Sequence, residues 1–154
     1  MKEQKLRDKR ILANLNLHKL PFKIKDDSFK NLGLEISDFI HYISKMLNKK
    51  SSLGWCFKNI KRSKIFLQIF HSNELGKEIY KEEIAKNIPE YSYKTIAKII
   101  DDGIQKSHFV LLTPDGKAGK DGKIKNIRPS EELITDFLNL NIEIISYFAV
   151  KKLK

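Results

Sequence analysis

Residues 81–130 read KEEIAKNIPEYSYKTIAKIIDDGIQKSHFVLLTPDGKAGKDGKIKNIRPS, and the change of hydrophobic period within them decides the fold. Lys81 to Asn87 predicts a short helix with Ile84 and Ala85 inward, and Ile88, Pro89 and Glu90 predict a turn. Ser92 is placed to N-cap a further helix reaching about Gln105, because its hydroxyl can accept an otherwise unpaired N–H of the first turn. Ile96, Ile99, Ile100 and Ile104 recur at helical spacing and mark the inner stripe of that helix. The period breaks at Phe109–Thr113, an apolar extended run. Pro114, Asp115, Gly116, Gly119, Asp121 and Gly122 supply a turn, and Lys123–Arg128 returns as a second strand. Ser130, Glu131 and Glu132 open a final helix to about Phe148, with acids at its positive end.

Upstream, Ile36, Phe39, Ile40, Ile43, Met46 and Leu47 predict one buried face of a helix from about Ser37 to Leu47. Lys49 to Gly54 reads as a stop and a loop. A helix from about Arg62 to His71 follows, with Ile65, Phe66, Ile69 and Phe70 inward and Asn73 and Gly76 ending it. The expected fold is mainly α with a small β-hairpin wing, a winged helix-turn-helix with flanking N- and C-terminal dimerisation helices. Its segments are a partly ordered basic arm (1–25), an N-terminal helix and connecting loop (26–60), the winged helix-turn-helix (61–129) and a C-terminal helix (130–154).

A chain of 154 residues, 41% hydrophobic and 32% charged, holds one globular core. Its most apolar run, Ile144–Val150, is far too short to span a bilayer, and the charged N-terminus leads into no signal-type apolar segment. A single cysteine, Cys56, excludes an internal disulfide framework, and the expected location is the cytoplasm. The net charge of +11 suggests a polyanionic partner, although a lysine-rich composition alone would give the same figure. Its distribution is uneven. Residues 1–25 carry eight Lys/Arg against two acids, Lys58, Lys61, Arg62 and Lys64 bunch together, and 113–128 is basic again. Residues 74–112 are nearly neutral at −1, and 129–148 is acidic at −4.

In a helix-turn-helix the second helix enters the major groove with its N-terminal residues toward base edges. Ser92, Tyr93, Lys94, Thr95 and Lys98 occupy the first two turns of that helix, the last four off the isoleucine stripe and expected to face outward. Lysine can donate to guanine or phosphate, and threonine suits thymine or phosphate. The same residues could equally make an ordinary solvated face. The hairpin adds Lys117, Lys120, Lys123, Lys125 and Arg128, able to track a phosphate backbone or dip into a minor groove, or simply to solvate a turn. Its GKAGKDGK run lacks the spacing of a nucleotide-binding P-loop.

The stretch from about Ile65 to Ser130 resembles the winged-helix domain of the multiple-antibiotic-resistance-regulator (MarR) family. That family's wing carries Asp-x-Arg and then a hydrophobic-x-x-Thr; here Asp121-Gly122-Lys123 and Ile127-Arg128-Pro129-Ser130 stand at the same spacing. The resemblance implies that Asp121 shapes the wing and Lys123 contacts DNA. It also implies that terminal helices of two subunits interlock into a homodimer and that a small-molecule effector binds near their interface. Three departures stand out: lysine replaces arginine at 123, the turn between Ala85 and Ile96 is one residue longer, and Ser107 occupies a position where glycine precedes the first wing strand.

The apolar residues of 130–148, from Leu133, Ile134 and Phe137 to Ile144, Ile145 and Phe148, cover more than one stripe, as a helix buried on two sides requires. No catalytic set, metal site or cofactor motif is found: His18, His41, His71 and His108 are scattered, and Glu82–Glu83 and Asp101–Asp102 are adjacent pairs pointing apart. Cys56, between Trp55 and Phe57, reads as a small packing residue, with a thiolate favoured by Lys58 and Lys61 as the alternative. The expected function is a sequence-specific, homodimeric regulator of transcription, a repressor on an inverted repeat of double-stranded DNA, without enzymatic activity. The alternative is a winged-helix protein-interaction or replication-accessory module with nonspecific DNA affinity.

Overall fold

The computed structural model describes residues 1–21, 28–47, 51–112 and 126–152. The chain is mainly helical, with one small antiparallel sheet, and divides into two compact units, Met1–Tyr42 and Ile43–Lys154. In the first unit, helix α1 spans Lys2–Asn14 and a single 3-10 turn Leu17–Lys19, so the segment expected to be only partly ordered is largely helical. Helix α2 spans Ser28–Leu47, starting well before the expected Ser37. Its predicted inner face is only partly buried. Ile43, Met46 and Leu47 pack against the core of the second unit, to which they belong, whereas Ile36 and Ile40 are exposed.

The second unit is built round α3 (Ser52–Cys56), α4 (Ile60–Glu74), α5 (Lys81–Asn87), α6 (Tyr93–Gln105), β1 (Phe109–Leu112), β2 (Asn126–Pro129) and α7 (Glu131–Lys152). Helix α3 forms where a loop was expected: the Ser51 hydroxyl accepts the Gly54 N–H at 3.1 Å and starts it. Asn59 caps α4 in the same way, accepting the Arg62 N–H at 2.9 Å. One core joins these elements. Ile65, Phe66 and Ile69 of α4, Ile84 of α5, Ile96 and Ile100 of α6, Phe109, Ile127 and Leu133 are all essentially inaccessible to solvent. Each contributes about 1.5–3 kcal/mol by leaving water. Ile99 and Ile104, expected inward, pack on the edge of this core.

The strands pair with Phe109 opposite Pro129 and Leu112 opposite Asn126. The segment before α5 closes the base of this pair. The Ile127 N–H donates to the Ile79 carbonyl at 3.0 Å, and the Ile79 N–H donates to Asn126 Oδ1 at 2.9 Å. Buried Asn126 thus satisfies a backbone donor that would otherwise be stranded in the core. At the far end of α6, Gly103 lies against the Phe109 ring; a Cβ there would come within 2.4 Å of it and within 3.2 Å of Trp55.

Ser107, in the turn from α6 into β1, has φ +64°, the left-handed region that favours glycine. Gly103→Ala should therefore lower unfolding free energy by about 1–3 kcal/mol through overpacking. Ser107→Gly should raise it, by up to about 1 kcal/mol, through relief of backbone strain. Urea unfolding of both variants checks this, and a neutral Gly103→Ala would mean that the Phe109 ring yields without cost.

Candidate functional site

Helix α6 presents the candidate residues unequally. Ser92 is extended and its hydroxyl accepts the Thr95 N–H at 3.2 Å, so it caps the helix as its position in the sequence indicates. The Thr95 hydroxyl lies 3.0 Å from Ser92 Oγ, and Thr95 is half-buried, so both hydroxyls belong to the cap before they can serve a ligand. Tyr93 is about half exposed, but its hydroxyl donates to Glu82 Oε1 at 3.3 Å. It is exposed and at the same time leans toward α5. The reason is angular: at 100° per residue, position 93 falls on the flank of the stripe made by Ile96 and Ile100. Lys94 and Lys98, one turn apart, are exposed, and neither forms an ion pair among the described residues.

Beyond α6, Arg128 stands opposite Val110 in the sheet and is half-buried, with its Nε shielded from solvent and, among the described residues, without a hydrogen-bond partner. Lys117, Lys120, Asp121, Lys123 and Lys125 lie outside the described residues.

A second feature, not anticipated from the sequence, is a cleft of about 820 Å³ walled by Ser52, Trp55, Phe57, Lys58, Lys106 and His108, among others. His108 Nδ1 lies 2.8 Å from the hydroxyl of buried Ser52, and the imidazole packs on Trp55 with ring centroids 4.8 Å apart and the planes tilted by 35°. The Arg62 guanidinium covers the Trp55 ring at 4.4 Å, and Lys106 Nζ lies 5.7 Å from the ring centroid. The Trp55 Nε1–H is buried and, among the described residues, has no hydrogen-bond partner. Two lysines, Lys58 and Lys106, and one acid, Glu132, line the cleft together with the Trp55 and Phe57 rings.

Burial pushes the His108 pKa below the usual imidazole value. Lys106 acts in the same direction, Glu132 opposes it, and Arg62 adds a smaller push downward. Cys56 beside the cleft is fully buried, and burial, opposed by Arg62, holds its thiol up at about 12. This favours the packing role over a thiolate. Neither Lys58 nor Lys61 is the cation that acts on it.

Compared with protein-family models, with curated proteins and with solved structures, the chain matches none. Among the described residues no helix is long and apolar enough to cross a membrane, and no group of three or more His, Cys, Asp or Glu side chains could hold a metal.

The depressed His108 pKa sets a pH dependence. The folded state favours neutral imidazole, so its stabilisation is complete above the ordinary value of about 6.5 and declines as pH falls through and below it. Denaturant unfolding at pH 7.5 and 5.5 should show stability falling more for the unmodified chain than for His108→Gln. Equal falls would mean that His108 contributes nothing to acid sensitivity.

Proposed function

We propose that this protein is a winged helix-turn-helix regulator of the MarR type that reads duplex DNA as a homodimer and acts as a repressor on an inverted repeat. One observation carries the reading. Helix α6 buries Ile96 and Ile100 and displays Lys94 and Lys98 from its first turns, outside any ion pair among the described residues, directly after the short helix α5. In such an arrangement the first turns of α6 enter the major groove and the β1–β2 connection lies on flanking backbone. One detail supports the family reading beyond the order of elements. Ser107, two residues before β1, adopts the left-handed conformation that favours glycine, the residue the family has at that position.

Dimerisation is supported by an unpartnered row on α7. Leu138, Ile142 and Ile145 are 48%, 59% and 68% exposed, while Leu133 and Leu140 of the same helix are in the core. Leu32, Ile36 and Ile40 of α2 leave a second exposed apolar row. Such rows on an otherwise charged chain mark association surfaces. The cleft at Trp55 and His108 is where we place a small effector.

The second reading, a protein-interaction module whose DNA affinity is incidental, draws on the near-neutral charge of residues 74–112. Sequence preference separates the two, because incidental binding is electrostatic and nearly sequence-blind. Selection from random duplexes at about 0.15 M salt should enrich an inverted repeat with half-sites roughly 10 base pairs apart. Lys94→Ala should then relax preference at individual positions at a cost of about 1–3 kcal/mol. Enrichment of nothing by folded protein favours the second reading.

For assembly, sedimentation should find the unmodified chain dimeric and the Ile142→Asp, Ile145→Asp double variant monomeric with its helical circular dichroism intact. A monomeric unmodified chain at micromolar concentration would remove the homodimer.

A further inference from the structure

Helix α4 carries a cationic pair whose destination lies outside its own helix. Lys61 Nζ is 5.2 Å, and Lys64 Nζ 5.8 Å, from the centroid of the Tyr91 ring. Both are attracted by the ring's negative face, an attraction of about 0.5–1 kcal/mol each at exposed sites. Tyr91 immediately precedes Ser92, the cap of α6, so two ammonium groups from α4 are gathered at the start of that helix. Among the described residues only one carboxylate answers them: Glu90 pairs with Lys64, and Lys61 has no acidic partner there. Two like charges drawn to one ring beside a single acid leave a local surplus of one positive charge at an exposed point.

We infer that Lys61 and Lys64, held on Tyr91, form a phosphate clamp for the strand flanking the groove that α6 enters, with Glu90 as an internal competitor for Lys64. The inference rests on the DNA-binding reading above and assigns a second contact element to it. The chemistry fits a phosphodiester because ammonium groups are point donors that need no planar partner. The residues lie on two elements of the core, α4 and the turn before α6, so the clamp is held at a fixed position relative to the Lys94 and Lys98 face. Such contacts fix orientation on the duplex without reading its sequence.

Glu90 makes the clamp distinguishable from a merely basic surface. A phosphate approaching Lys64 must displace or share the ion pair, so removing the acid should strengthen DNA binding and removing either lysine should weaken it. Fluorescence anisotropy of the full chain on its selected duplex, across a salt series, tests this with Lys61→Ala, Lys64→Ala and Glu90→Gln. All three side chains are exposed, and thermal unfolding followed by circular dichroism verifies that each variant is folded. Lys61→Ala should weaken binding to selected and scrambled duplexes alike, by roughly three- to tenfold, and flatten the slope of log affinity against log salt by about 1. Glu90→Gln should tighten binding to both duplexes. Unchanged affinity and slope in Lys61→Ala and Glu90→Gln, while Lys94→Ala still alters preference, would overturn the clamp and leave the DNA-binding reading standing. Absence of duplex binding by the unmodified chain would overturn both.

Discussion

The absence of a side chain at Gly103 is the constraint on which the second unit depends. With the Phe109 ring less than a methyl's breadth away and Trp55 behind it, α6, β1 and α3 meet at one point without any slack. This contact sets where β1 begins relative to α6, and the chain has only three residues, Lys106 to His108, in which to make the turn. It does so by placing Ser107 in the left-handed region, with the His108 N–H donating to the Gly103 carbonyl at 2.8 Å. The His108 carbonyl then accepts the Ser130 N–H at 2.9 Å, and the Ser130 hydroxyl caps α7 by accepting the Leu133 N–H. Close packing at one glycine is thereby passed along backbone hydrogen bonds to the start of the last helix.

The same contact makes the cleft. Trp55 cannot swing inward past Phe109 and Gly103, so its ring turns toward Arg62, Lys106 and His108. His108 is fixed from the other side by Ser52, the first residue of α3. Burial of the imidazole, with Lys106 and to a lesser degree Arg62 beside it, suits the neutral form, which is why its pKa is displaced downward. The proposed reading face and the cleft are thus opposite ends of one helix: Lys94 lies in the first turn of α6, and Lys106 follows its last residue.

Much of this was legible because strong local signals coincide. Helices α5 and α6 follow from isoleucine spacing and a serine cap, both properties of neighbouring residues, and β1 from a run of branched and aromatic side chains. Helix α3 was not legible, since five residues SLGWC show no period, and Ser and Gly count as breakers unless the serine is seen as a cap. Helix α1 was missed because charged residues interrupt its apolar positions, so no continuous face announces it. That Tyr93, exposed at the start of α6, also reaches Glu82 of α5 depends on how the two helices pack and could not be read from spacing. The bunching of Lys58, Lys61, Arg62 and Lys64 was visible, but their destinations differ and depend on tertiary structure. Lys58 goes to the cleft, Arg62 to Trp55, and the other two to Tyr91.

Those destinations also bear on the weightiest objection to a polyanion-binding face, the −1 balance of residues 74–112. A segment's net charge matters only if its acids share the surface of its bases. Here two acids are taken up in ion pairs: Asp101 pairs with Lys81, and Glu90 pairs with Lys64. Lys94 and Lys98 stand outside these pairs. Near-neutrality over thirty-nine residues therefore coexists with a locally positive strip on α6, extended at its start by the ammonium groups on Tyr91. Electrostatic attraction falls off within a Debye length, about 8 Å at physiological salt, so a phosphate feels that strip more than the segment's sum. The near-neutral segment gives correspondingly little support to the protein-interaction reading.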